Sequence, residues 1–339
     1  MLTCSVVSIG AGAFYGLNFS EVTIGEGVQI MGEDAFGSCA ITTVNYNAIN
    51  CVVSGYNPYY SSIFNGCSLL TTVNFGEHVQ SIPVYAFRGC NSLQCSLVFP
   101  ESLVTIGDHA FYGCTGLTGS LTIPNSVTTI GDEAFELCRG ISGLTLGNSV
   151  TTIGYNAFGG CTGLTGNLTL PSSLTTIGTG SFGGCSGLTG DLIIPNSVTT
   201  MGEYVFQNCS GFTSLSLSNG LTEIPYATFK NCSGLTGNLI IPNSVNTIGC
   251  EAFSGCSGLT GSLTIPNSVT TVYNRAFYDC TGFTGELIIG NNVTLIDSWA
   301  FYNCTGLTGD VIIPASVTYV YTGAFNSCSG LESVTIVSS

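Results

Sequence analysis

Charge is scarce in this chain and positive charge almost missing: 7% of the 339 residues are charged, with four basic against 19 acidic and a formal net charge of −15. A polyanion is repelled from most of such a surface, which argues against nucleic acid and against an anionic membrane as partners. No run of 18 or more apolar residues occurs, so no segment is suited to cross a bilayer as a helix. The start, MLTCSVVSIG, has neither a basic leader nor an apolar stretch of adequate length, and no secretion signal is visible. Histidine is limited to His78 and His109, neither in a motif-like context. C-x-x-C is absent, which removes the usual zinc or cluster spacing. No G-x-x-x-x-G-K-[ST] is present and no G-x-G-x-x-G opens a helix, so no phosphate loop is supported.

What is present is a folding composition, 44% apolar with 46 glycines, written as one repeated sentence. Residues 117–138 read LTGSLTIPNSVTTIGDEAFELC, and edited copies fill nearly the whole chain. The phenylalanine of each Ala-Phe-like pair is a ruler: Phe14, Phe36, Phe64, Phe87, Phe111, Phe135, Phe158, Phe182, Phe206, Phe229, Phe253, Phe277, Phe301 and Phe325. From Phe64 onward every step is 23 or 24 residues, a period that predicts a solenoid of about 14 turns rather than several globular domains. We therefore expect one domain over 1–339. Within it, 1–20 form a partial first turn, 40–66 an irregular longer turn, and 331–339 a last strand without a polar cap. Val6, Ile9 and Phe14 match Val127, Ile130 and Phe135, so the chain reads as a repeat entered part-way and as a piece of a longer protein.

Inside one turn, Leu121, Thr122 and Ile123 alternate as a short strand with one buried face. Pro124 cannot donate to a ladder, and Pro-Asn-Ser turns the chain away. Val127, Ile130, Ala134 and Phe135 are spaced by three or four, which predicts a short helical or 3₁₀-like return. A single turn buries too little to offset the entropy of ordering it, so stability must come from neighbouring turns.

The string LTIPNSVTTIGDEAF, with Cys three residues on, resembles the BspA-type leucine-rich repeat, with Leu-x-Ile-Pro on the strand, then Val-x-x-Ile-Gly, Ala-Phe and Cys in fixed register. The resemblance covers nearly the whole chain. It implies short parallel strands on one face, and helical, 3₁₀ or irregular segments on the other. It also implies a secreted or cell-surface location and adhesion to a host matrix protein, a glycan or another surface protein, with no catalytic residue and no cofactor to carry over. Most turns from Leu117 onward use Gly-Leu-Thr-Gly-x-Leu-x-Ile-Pro, one residue longer than Gly140–Leu146 (GISGLTL); the extra residue is expected as a bulge before the strand.

Thirteen of the 17 cysteines follow the ruler phenylalanine by three: Cys39, Cys67, Cys90, Cys114, Cys138, Cys161, Cys185, Cys209, Cys232, Cys256, Cys280, Cys304 and Cys328. In leucine-rich repeats such a residue is a compact hydrophobe at a tight bend; a periodic, odd-numbered ladder favours buried thiols over disulfides between adjacent turns. Cys4, Cys51, Cys95 and Cys250 lie off the ladder. Cys250 follows Ile-Gly, a solvent-facing slot, and is the candidate reactive or modified thiol, with an incidental surface cysteine as the plain explanation. His109, beside Asp108, and the Asp132-Glu133 pair occupy that same variable slot and are expected to be solvated, with no catalytic role.

Binding, then, falls to the surface. The residue between the two core positions of each strand points outward: Thr122, Thr145, Thr169, Ile193, Ser216, Ile240, Thr264, Ile288 and Ile312. Ile193, Ile240, Ile288 and Ile312 form an apolar stripe, for which ordinary strand propensity is the plain explanation and docking the functional one. Asp191, Glu286 and Asp310 flank it and suit a basic partner. A second candidate is the insertion in the 28-residue step between Phe36 and Phe64, which carries Tyr46, Tyr56, Tyr59 and Tyr60; tyrosine is common in recognition loops, and a cap over the core is the alternative. The sequence thus predicts a non-catalytic binding or adhesion scaffold. The alternative is a structural filament or surface layer built by end-to-end stacking and self-association of the solenoid.

Overall fold

The structure, a computed structural model, describes residues 6–55 and 62–337. It divides into two compact units, Met1–Thr165 and Gly166–Ser339, each a run of the same turn. The fold is a parallel-strand solenoid, and among the described residues every strand pair is parallel.

Most turns contribute to two strand columns; in the first column residues 97–99 and 239–241, the latter holding Ile240, form no strand. In the first unit one column holds Glu21–Ile24, Thr43–Tyr46 and Thr72–Phe75, and further on Gly119–Thr122 pairs with Ile141–Thr145. The other column begins with Ser8–Ile9, Ile30–Gly32 and Val52–Ser54 and goes on with the two-residue strands Ser81–Ile82, Thr105–Ile106, Thr129–Ile130 and Thr152–Ile153. In the second unit the first column includes Leu188–Ile193 with Phe212–Ser216, Leu263–Ile265 with Leu287–Ile289, and Gly309–Ile313 with Leu331–Ile336. Its second column runs through Glu223–Ile224, Thr247–Ile248, Thr271–Val272, Leu295–Ile296 and Tyr319–Val320. Val127 N donates to Pro124 O at 3.2 Å, closing the turn that Pro-Asn-Ser foretold.

The return after Ile-Gly is not helical: no helix or 3₁₀ segment occurs among the described residues. Two left-handed residues per turn prevent one. The first precedes Ala-Phe, as at His109 (φ 55°), Glu133 (φ 54°) and Arg275 (φ 55°); the second precedes the ladder cysteine, as at Leu137 (φ 61°) and Asn231 (φ 60°). Such φ values cost a non-glycine residue about 1 kcal/mol or more. Backbone donors are also used sideways, between turns. Phe111 N donates to Ala134 O and Phe135 N to Ala157 O, each at 2.8 Å, so the spacing of three and four reflects a stacked loop rather than a helix.

The expected extra residue is accommodated at glycine. Gly119, Gly190, Gly237, Gly261 and Gly309 of the longer turns have φ between 73° and 78°, a region nearly reserved for glycine. Where a long turn meets a short one the ladder shifts register, between Ile141 and Gly143 and again between Gly190 and Asp191.

The core is a set of columns. Ruler phenylalanines from Phe14 to Phe158 stack in the first unit with centroids 5.0–5.5 Å apart and planes within 17°. Those from Phe182 to Phe325 repeat the pattern in the second at 5.3–5.8 Å. Near-parallel rings this far apart are offset, the favoured aromatic geometry. All thirteen ladder cysteines are buried. Their thiols donate to the carbonyl of the preceding turn's phenylalanine, as from Cys138 to Phe111 and from Cys256 to Phe229. Every described cysteine is a free thiol.

Candidate binding surface

The outward face of the first strand column in the second unit is where the sequence placed its candidate site. Leu192 and Ile194 are buried while Asp191 and Ile193 are exposed, the alternation a half-buried strand requires. Ile193, Ile240, Ile288 and Ile312 are 58%, 76%, 49% and 55% exposed, so the predicted stripe faces solvent. Pairing sets Ile193 opposite Ser216, Thr264 opposite Ile288, and Ile312 opposite Thr335, which keeps the outward residues in one row across each of these pairs.

The acids stand on the same face two residues before the isoleucines. Asp191 Oδ1 accepts the Ser214 hydroxyl at 2.6 Å and Asp310 Oδ1 that of Ser333 at 2.5 Å, which fixes both carboxylates on the sheet. The Glu286 amide donates to Ser262 Oγ at 3.2 Å. Exposed isoleucines interspersed with Ser216 and Thr264, beside the held carboxylates of Asp191 and Asp310 and the exposed Glu286, can take a partner that offers apolar and basic groups together.

The tyrosine insertion divides. Tyr46 is buried, its ring packed edge-on against Phe75 and Phe87, so it belongs to the core. Tyr56, Tyr59 and Tyr60 lie outside the described residues.

The slot after Ile-Gly departs from expectation. His109 is not a solvated side chain: its Nε2 lies 2.9 Å from Glu133 Oε2, both groups about one fifth exposed, and its ring stacks on Tyr85 at 4.5 Å. Asp132 is exposed, yet its Oδ1 is occupied by the amide of Tyr155 at 2.7 Å, so the Asp132-Glu133 pair holds adjacent turns together. Glu136, next in that cluster, is pushed up to about 7, by burial first and then by repulsion from Glu133. Cys250 is half-buried, and burial raises its thiol, which lowers the thiolate fraction and favours the plain reading of an incidental cysteine over a reactive one.

The return segment also holds what sequence reasoning passed over. In the second unit Lys230, Glu251, Arg275, Tyr278 and Trp299 meet along the return edge, although no motif joins them in sequence. The usable signal was residue type: two of the chain's four cations, Lys230 and Arg275, and its one tryptophan fall on nearby turns beside the ruler phenylalanine. Among the described residues no three His, Cys, Asp or Glu side chains are grouped to hold a metal ion.

Stacked phenylalanines, paired parallel columns and a cysteine at each bend define a leucine-rich-repeat solenoid. The profile of the BspA-type leucine rich repeat region matches residues 2–118, 57–189, 162–284 and 236–339. The chain belongs to that family. It is similar to a leucine-rich repeat protein from Bacteroides ovatus, at 28% identity and TM-score 0.56, over 97% of this chain and 87% of that one. A leucine-rich repeat protein from T. pallidum is 29% identical with TM-score 0.46, covering 53% of this chain and 82% of its own. A leucine-rich cell surface protein from Faecalibacterium prausnitzii is 24% identical with TM-score 0.43, over 80% and 88%. No curated protein matches the chain.

Proposed function

We propose that this chain is an extracellular adhesion scaffold whose outward strand face in Gly166–Ser339 docks a protein partner carrying apolar and basic groups. The observation that carries the proposal is the pairing of exposed isoleucines with acids on one hydrogen-bonded face: Asp191 with Ile193, Glu286 with Ile288, Asp310 with Ile312. A face held by backbone ladders loses little entropy on binding, and isoleucine contributes area there that threonine does not. The net charge of −15 draws a basic partner toward it. The BspA-type resemblance supports a non-catalytic role at a cell surface. Among the described residues no helix is long and apolar enough to cross a membrane.

The test is a binding screen of the protein against matrix and surface proteins, repeated with Ile240→Asp plus Ile288→Asp. Both side chains are exposed, so folding stability should change by less than about 0.5 kcal/mol per site. We expect affinity for a genuine partner to fall at least tenfold. Undiminished binding by the double variant removes the stripe as the docking face.

A further inference from the structure

The first and last described turns expose core positions. In the first, an apolar cavity of about 510 Å³ lies against Val6, Ile9, Phe14, Phe19, Val22 and Phe36. Phe14 is 39% exposed where the next ruler ring, Phe36, is 2% exposed. In the last, Leu331–Ile336 is paired on one side, with Gly309–Ile313, and its other edge is open among the described residues. Val334 and Ile336 stand opposite the buried Val311 and Ile313, so they occupy core positions, yet both are exposed. Val320, opposite the buried Ile296, is exposed as well.

The two surfaces complement each other. Within the chain each return segment donates to the next: the amides of Trp299, Phe301 and Asn303 donate to the carbonyls of Thr322, Ala324 and Asn326. The equivalent amides of the last turn, Gly323, Phe325 and Ser327, have no backbone acceptor among the described residues. In the first turn the carbonyls of Ala11, Ala13 and Tyr15 have no backbone donor. One end therefore offers three donors at the spacing at which the other offers three acceptors, and open edges of this kind are templates for pairing.

Turn length agrees as well. Long turns shift the ladder where they meet short ones, but the first and last turns are both short, with three residues from Phe19 to Val22 and from Leu331 to Val334. Aligning Val334 with Val22 sets Thr335 opposite Thr23 and Ile336 opposite Ile24. Glu21–Ile24 already pairs with Thr43–Tyr46 in that unshifted way. The same alignment puts Glu332 opposite Ser20 and Ser333 opposite Glu21, so no two carboxylates face each other directly. Phe325 stacks on Phe301 at 5.3 Å and Phe14 on Phe36 at 5.0 Å, and no described ring covers the other face of either end member. Leu17 stands where Cys39 stands one turn later, so a junction gains apolar area there and no thiol bond.

We propose that copies of this chain associate head to tail, the open edge of Leu331–Ile336 in one copy pairing with Glu21–Ile24 of the next while Phe325 stacks on Phe14. Each copy uses two different surfaces, so the contact is heterologous and a dimer keeps one free end of each kind. These end surfaces share no residue with the isoleucine face, and head-to-tail pairing stands or falls apart from it.

Sedimentation of the 339-residue chain over a concentration series tests this, at high salt to screen repulsion between copies of charge −15. We expect species at whole multiples of the chain mass that grow with concentration. Val334→Asp with Ile336→Asp blocks one end and Phe14→Asp the other. Each folded variant alone should be a monomer, and an equimolar mixture should form dimers and nothing larger, because one intact junction remains. Ile240→Asp with Ile288→Asp should associate like the unaltered chain. Where circular dichroism shows an end variant unfolded, the exposed Val320→Asp and Val6→Asp block the same two ends. A chain that is monomeric at every concentration overturns the proposal. So does association that survives in a folded end variant, or a mixture that fails to dimerise. Loss of association in the isoleucine variant also overturns it and assigns self-association to the strand face.

Discussion

The thiol of Cys114 donates to the carbonyl oxygen of Phe87 in the preceding turn at 3.0 Å, and the amide of Cys90 donates to that same oxygen at 3.1 Å. The ladder cysteine therefore ties its own turn to the bend of the turn before it, besides filling a small buried site. Cys114→Ala removes the donor and the sulfur volume and should cost about 1–3 kcal/mol. Cys114→Ser keeps a donor facing the Phe87 carbonyl and should cost less. Urea melts of the two variants measure the difference, and a serine variant weaker than the alanine one would show that the sulfur acts only as apolar filler.

Burial pushes the thiols of Cys161, Cys209 and Cys256 up to about 12 from an ordinary 9.0. The unfolded chain loses these protons first, so the stability they contribute is fully present below pH 9 and is lost as pH rises toward 12. Each such thiol steepens the loss by about 1.4 kcal/mol per pH unit across that window. Urea midpoints should be nearly flat from pH 7 to 8 and fall sharply above 9. A flat profile to pH 11 would mean the ladder is not composed of buried thiols.

Glu136 gives a second pH effect, in the first unit. Its carboxyl, raised to about 7 by burial and by Glu133, favours the protonated form in the folded state. Its contribution is therefore present at acid pH and lost as pH rises through 7. Glu136→Gln should be close to neutral at pH 5 and stabilising at pH 8, by an amount solvent screening keeps small. Thermal melts at the two pH values check the sign.

Two glycines separate backbone strain from steric contact. Gly113 has φ 69° and nothing within 4 Å of the position a Cβ would take, so Gly113→Ala should cost only the left-handed backbone term, about 1 kcal/mol. At Gly140 the φ is ordinary, but a Cβ would run into the carbonyl oxygen of Leu117. Gly140→Ala should cost clearly more, with the loss spreading to the pairing of Ile141–Thr145 with Gly119–Thr122. Hydrogen exchange of those amides, next to the same measurement on Gly113→Ala, distinguishes the two.

The periodic letters were legible because each does one job in every turn. Phe135 and Cys138 could be assigned to the interior, and Ile193 and Ile240 to the outside, from spacing and alternation alone, and the structure places them there. The return segment was not legible in the same way. Val127, Ile130, Ala134 and Phe135 share the spacing of a helix face, and only the left-handed residues and the sideways hydrogen bonds distinguish a stacked loop from a helix.

Thus the sequence by itself determined the repeat length, the buried columns and the outward row of the strands, since these follow from side-chain polarity at fixed intervals. Only the tertiary structure decided that His109 meets Glu133, and that Lys230, Glu251, Arg275 and Trp299 share one edge. Residues some 24 apart in the chain become neighbours only when turns stack, and their meeting depends on the register between turns, which no local pattern encodes.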